Sequence, residues 1–199
     1  MNGPPANNHL DEEDGVAELI EKCLLGSSAA MSALVSRYQN ALDRWFRFSC
    51  ACSPEDAEDL TQETLLEAIR SLPRYDRQLG TFRPWIFGVA YKKLLQWKRS
   101  AARGRGALED VGARQHRLWE QYLRDQERTH EESLEVQEMW RAFSALSDAD
   151  RLLLYFRHID VLPLEAIARI VGVSMTTLRM RFSRANRRLR KLLEKCRRI

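Results

Sequence analysis

Apolar residues recur at three- and four-residue spacing along almost the whole chain, and nowhere do apolar and polar residues alternate long enough to make a strand. That pattern restricts the fold to an all-α one. Met31, Leu34, Val35, Tyr38, Leu42, Trp45 and Phe46 lie on one such face, and Leu60, Thr64, Leu65, Ala68, Ile69 and Leu72 on another. Glycine, proline and serine set the boundaries. Gly26 closes a first helix over about 16–25, and Ser28 caps a second. Ser53-Pro54, with Asp56 at the third helical position, opens a third helix that Pro73 ends. A fourth starts near Arg83-Pro84 and breaks at Gly104-Arg105-Gly106.

Residues 104–133 are charged and poor in apolar anchors, with opposite charges three and four apart over 117–132, which predicts a partly helical linker. Four more helices are predicted beyond it, over about 135–145, about 148–159 with Ser147 and Asp150 at its cap, from Pro163 to Gly172, and onward from Ser174. The expected architecture is therefore two small helical domains, 16–103 and 134–199, after a polar tail over 1–15. At 199 residues each core would be thin, and such domains lean on partners.

With 44% hydrophobic and 30% charged residues the chain is foldable rather than disordered. It has no apolar run near the roughly 20 residues that span a bilayer. Its acidic, polar first 15 residues lack the features of a secretion signal, so a cytoplasmic location is expected, with no membrane insertion. The four cysteines (Cys23, Cys50, Cys52 and Cys196) fit no zinc framework and are expected to be free thiols acting as small apolar residues; the alternative is a redox or metal sensor at Cys50-Ala-Cys52. No metal cluster, phosphate-binding glycine loop or nucleophile motif is present, and His9, His116, His130 and His158 are scattered, which argues against an enzyme and against a metal or other cofactor.

The net charge of +4 hides a division. From residue 163 onward eleven basic residues face two acidic ones, a net +9, which leaves −5 on residues 1–162. A polyanion partner at the C-terminal end follows. The same end carries LEAIARIVGVSMTTLRMRF over 164–182, in which Ile167, Ala168, Val171, Val173 and Leu178 suit two crossed helices and Gly172 takes the turn. This is a helix-turn-helix. Its second helix would present Ser174, Met175, Thr176, Arg179, Met180 and Ser183 to the major groove. Arg179 is placed to read guanine through two hydrogen bonds, whereas Arg181, Arg184, Arg187 and Arg188 suit phosphates. A helical bundle with a solvated basic face is the bland alternative.

Two further charge blocks stand in the N-terminal half. Residues 54–67 hold Glu55, Asp56, Glu58, Asp59, Glu63 and Glu67 with no basic residue, and 83–105 hold seven basic residues with no acidic one. The second block is interleaved with Trp85, Phe87, Tyr91 and Trp97, a mixture that suits single-stranded nucleic acid, although Trp85 and Phe87 equally suit a core.

Taken in order, DAEDLTQETLLEAI (56–69), GTFRPWIFGVA (80–90), a basic helix, LSDADRLLLYF (146–156) and RANRRLRKLL (184–193) resemble the extracytoplasmic-function group of RNA polymerase sigma factors, which retain two of the larger family's domains. The resemblance implies that Asp56, Glu58, Asp59, Leu60, Gln62, Glu63 and Leu66 dock on the clamp helices of the polymerase β′ subunit. It implies that Arg83, Trp85, Lys92, Lys93, Gln96 and Arg99 take the minus-ten promoter element, and that the helix-turn-helix reads the minus-thirty-five element. Members of the group are often held by an anti-sigma partner. Three positions depart from the family pattern: Lys92 stands where Asn is usual, Gln96 where Asp is frequent, and Ala166 where Glu is usual. The first two bear on minus-ten preference, the third on packing. A stand-alone helix-turn-helix regulator and a degenerate sigma-like adaptor are the competing readings; neither an unaided regulator nor its DNA explains the acidic helix.

Overall fold

The computed structural model of the chain describes residues 8–49, 52–104 and 145–196, with short helical pieces at 138–139 and 142–143. Among these residues the protein is all-α. The order is α1 (Asn8–Leu24), α2 (Ser28–Ser49), α3 (Pro54–Ser71), two 3-10 turns (Leu72–Arg74 and Arg77–Leu79), α4 (Phe82–Gly104), α5 (Asp148–His158), α6 (Leu164–Val171) and α7 (Met175–Cys196). The predicted helical linker segment over 117–132 lies outside the described residues.

The boundaries follow the local chemistry. Gly26 takes a positive φ of 86° after α1, which starts earlier than its apolar pattern indicates. Ser27, rather than Ser28, caps α2 by accepting from the Ala30 amide at 3.3 Å. Ser53 and Asp56 form a reciprocal capping box at α3: the Ser53 hydroxyl accepts from the Asp56 amide, and the Asp56 carboxylate accepts from the Ser53 amide, both at 3.1 Å. Pro73 stops α3 and the chain tightens into a 3-10 turn. Gly172, at φ 68° and ψ 39°, ends α6 in the left-handed conformation that a side chain would resist.

α1 to α4 pack as one bundle, and α5 to α7 as another. The two share buried residues where they meet. One continuous cluster runs from Val16 and Leu42 through Trp45, Phe46 and Phe87 to Leu154, Phe156, Ile167 and Leu178. Trp45 on α2, Phe87 on α4 and Phe156 on α5 are each fully buried and touch one another. Shared burial compensates for the small size of each bundle, since a fully buried side chain of this kind stabilises by roughly 1.5–3 kcal/mol.

The free-thiol expectation holds at Cys23, which is buried and whose thiol pKa burial pushes up. It fails at Cys52, which is disulfide-bonded and buried at 2% exposure. Composition and compartment indicate which thiols stay reduced, but the fold decides which sulfurs meet. The side chains of Cys50 and Cys196 lie outside the described residues.

Candidate nucleic-acid interface

α3 is amphipathic because its acidic residues share the side opposite Ala57, Leu60, Thr61, Thr64, Leu65 and Ala68, all of which are buried. Glu58, Asp59, Gln62 and Glu63 are exposed, and Leu66 stands among them at 55% exposure. An exposed leucine within a carboxylate row is an apolar anchor with a polar rim, the composition of a protein-docking surface. Two of the sequence candidates are committed elsewhere. Leu60 is buried, so it supports the helix from inside, and Asp56 closes the capping box. Glu63 accepts from Lys93 of α4 at 3.2 Å, which ties the acidic helix to the basic one.

α4 carries the basic aromatic block. Phe87 and Ile86 are core, as is Phe82. Trp85 is half-buried at the edge of an aromatic group, with its ring 5.4 Å from Tyr75 and 5.2 Å from Phe82. Arg83 lies over the Phe87 ring at 5.4 Å. Lys92, Gln96 and Arg99 are exposed, whereas Lys93 is half-buried beside Glu63. Of the six minus-ten candidates, Lys92, Gln96 and Arg99 are exposed, Arg99 donating to the Leu95 carbonyl at 3.1 Å, and the other three are partly held by neighbours.

The helix-turn-helix forms as its residues dictate. Ile167, Ala168 and Leu178 are buried between α6 and α7, and the Ser174 hydroxyl accepts from the Thr177 amide at 3.3 Å to start α7. Ser174, Thr176, Arg179, Met180, Arg181, Ser183, Arg184 and Arg187 are all exposed, and Met175 is half-buried. Arg188 is exposed as well, but it is engaged, donating to the buried Asp150 at 2.5 Å. Ala166 is 1% exposed where α6 meets α4. A glutamate there would bury its charge, so the small residue suits this packing.

Comparison with known proteins agrees with this order of surfaces. The sigma-70 region 2 family matches residues 34–104, and the sigma-70 region 4 family matches residues 142–191. The chain is 30% identical over 172 residues to the ECF RNA polymerase sigma factor SigE of Mycolicibacterium smegmatis, covering 85% of this chain and 65% of that one, just under two thirds of its length. It belongs to the sigma-70 family, as an RNA polymerase sigma factor of the extracytoplasmic-function group. It is also 26% identical over 190 residues to the ECF sigma factor ShbA of Streptomyces griseus, covering 92% of this chain and 98% of that one. In fold it is similar to CnrH, solved with the cytosolic domain of CnrY, at a TM-score of 0.61 and 21% identity over 89% of this chain and 96% of that one. A similar match is to the sigma factor RpoE of Bartonella quintana, solved with the anti-sigma factor NepR, at 0.58 and 22% over 82% and 96%. Sigma factors direct the initiation of transcription, and this one carries both matched regions in that order.

The two halves of the sigma factor also face each other. Asp160, in the turn between α5 and α6, accepts from Arg83 at 2.6 Å with its side chain only 4% exposed. Asp148, at the start of α5, accepts from both Lys98 of α4 and Arg151, each at 2.5 Å. Arg169 of α6 donates to the Leu79 carbonyl and lies against Gly80. Trp85 and Lys92 line one wall of a cleft whose other wall is Ala166, Arg169 and Ile170. None of Asp148, Asp160 or Arg169 stands out in the sequence as a site residue. Asp160 alone carries a signal, as a single acid flanked by apolar Ile159, Val161 and Leu162.

Proposed function

We propose that this sigma factor divides promoter recognition among three surfaces. The exposed face of α3, with Glu58, Asp59, Gln62, Glu63 and Leu66, docks on the β′ clamp helices of core RNA polymerase. The basic aromatic side of α4, through Arg83, Trp85, Lys92, Lys93, Gln96 and Arg99, takes the minus-ten element as its bases leave the stack. The α7 face from Ser174 to Arg187 reads duplex DNA at the minus-thirty-five element. Residues 16–103 and 134–199 then act as the two functional units, joined by 104–133.

The observation that carries this reading is the α7 face, a row of exposed arginines directly after a glycine turn and a serine cap. Phosphate contacts from that row make binding salt-dependent. Weak contacts from each unit add once polymerase holds both, because the second becomes intramolecular. The chain works as a non-enzymatic specificity subunit in the cytoplasm, without cofactor; among the described residues no helix is long and apolar enough to cross a membrane. The likeness to CnrH and RpoE, each solved with a bound partner, supports an anti-sigma partner here as well.

Binding of the purified chain to core polymerase tests the reading, with an Asp59→Ala, Glu63→Ala double variant as control. Tight binding that the variant loses is expected, followed by promoter-specific run-off transcription. Absence of binding would leave a stand-alone DNA-binding regulator as the better account.

A further inference from the structure

We propose that the hollow between α1, α2 and the start of α4 is a binding site for a small nucleoside phosphate, distinct from the cleft beside Trp85 and Lys92. The cavity has a volume of about 440 Å³, within the range of pockets that hold small ligands. Its lining divides by chemistry. Val16, Ala17, Ile20 and Leu24 of α1 form an apolar wall. Tyr38 and Phe82, both buried, line it as well, their rings edge to face at 5.3 Å. Arg37 of α2, Arg77 of the second 3-10 turn and Arg83 of α4 bring three guanidinium groups to the same space, against the single carboxylate of Glu21. The cleft lined by Trp85 and Lys92 shares only Tyr75 and Thr81 with this cavity, and of the six minus-ten candidates only Arg83 lines it.

An excess of positive charge beside an apolar, aromatic wall selects an anion that carries a ring of its own. Guanidinium groups take phosphate oxygens through paired hydrogen bonds, whereas the apolar wall offers nothing to a bare phosphate. Arg83 is engaged already, with Asp160 at 2.6 Å and over the Phe87 ring. The phosphate contacts therefore fall to Arg37 and Arg77, both exposed. Arg37 also donates to the Tyr38 hydroxyl, but a guanidinium has five N–H donors, so that bond does not preclude a phosphate. The positive field extends to the buried ring: burial raises the Tyr38 hydroxyl pKa, and Arg37 and Arg83 both pull it down. Glu21, exposed on α1, supplies an acceptor for ribose hydroxyls or for the amino group of a base.

The test is calorimetric titration of the full chain with GDP at physiological salt, with ADP and inorganic pyrophosphate in parallel. Saturable single-site binding of a nucleotide is expected, tighter than that of pyrophosphate. Arg37→Gln and Arg77→Gln should each lower nucleotide affinity about ten-fold, the worth of one hydrogen bond to a charged group. Ala17→Trp fills the apolar wall while leaving every cation in place, and it should abolish nucleotide binding. If an arginine variant loses helicity, the Ala17→Trp result decides, because that change removes space and no charge. Absence of nucleotide binding to the wild type overturns the proposal. Pyrophosphate binding as tight as nucleotide binding overturns the claim that the wall holds a nucleoside. Unchanged nucleotide affinity in all three variants places the anion on the basic face of α7 instead, and overturns the site. None of these outcomes depends on how α3 meets polymerase or α4 meets DNA.

Discussion

Trp45 and Phe156 stack across the molecule with ring centroids 5.7 Å apart and planes 18° from parallel, so the N-terminal and C-terminal bundles share one aromatic core. Neither ring has any exposure. Phe156 also meets Phe87 edge-on at 6.0 Å. Shared burial couples the two halves energetically. The wild-type chain is expected to unfold in a single calorimetric transition. Phe156→Ala should cost about 3–5 kcal/mol and separate the halves into two transitions. Two well-resolved transitions in the wild type would show that the aromatic contact does not couple them.

Ser53 and Asp56 anchor the start of the helix proposed to meet polymerase. Ser53→Ala removes the hydroxyl that accepts from the Asp56 amide, leaving a helix-terminal donor without its partner. The expected cost is about 1 kcal/mol of stability, read as a lower urea midpoint at unchanged slope. Asp56→Asn should lose less, since an amide oxygen can still accept from the Ser53 amide. Equal stability of wild type and Ser53→Ala would mean that the cap contributes nothing.

Much of the fold is legible in the sequence because helix signals are local. Ser53-Pro54, Ser147, Gly172 and Ser174 fix element boundaries through hydrogen bonds and dihedral freedom within a few residues, and each is found where its chemistry puts it. The exposed face of α7 is legible in the same way, because its residues lie on one helix. What could not be read is long-range. Nothing near Asp160 in sequence announces Arg83, nothing near Phe156 announces Trp45, and the thiol chemistry of Cys52 depends on which sulfur the fold brings to it. Leu60 and Leu66 show the limit within one helix. Both belong to the family motif, but a rotation of 3.6 residues per turn sends one into the core and the other outward.

Val161 occupies the left-handed region at φ 53° while its side chain is 61% exposed. The conformation costs roughly 1–2 kcal/mol for a side-chain-bearing residue, and little burial is lost on truncation. Glycine removes the penalty but adds unfolded-state entropy worth about 0.5–1 kcal/mol. Val161→Gly is therefore expected to stabilise the chain by about 0.5–1 kcal/mol, the difference of those two effects, as measured by chemical denaturation. Destabilisation would mean that the valine methyls contribute more to the turn than the backbone loses.

Burial raises the Asp160 carboxyl above its ordinary value of 3.8, against the opposing pull of Arg83 and Arg44. Between 3.8 and that raised value the folded chain keeps a proton that the unfolded chain releases. The stability this group contributes is thus fully present below the unfolded pKa and declines as pH rises through the folded one. Unfolding free energies of wild type and Asp160→Asn, compared across the acid range, should show the wild-type advantage shrinking as pH rises. A difference that grows with pH would mean that the Arg83 ion pair outweighs the cost of burial.

Arg179 and Arg187 lie on the same exposed side of the basic helix but are assigned different work. Arg179 is near the start of α7, where a recognition helix meets base edges, and Arg187 lies two turns on, where the helix passes the backbone. With polymerase holoenzyme, Arg179→Ala should lower the preference for the best minus-thirty-five sequence by about 1–3 kcal/mol while leaving poor sequences little changed. Arg187→Ala should weaken all sequences alike and reduce the salt slope of binding by about one. Identical profiles for the two variants across a promoter panel would show that both arginines grip phosphate, and that sequence is read elsewhere on the α7 face.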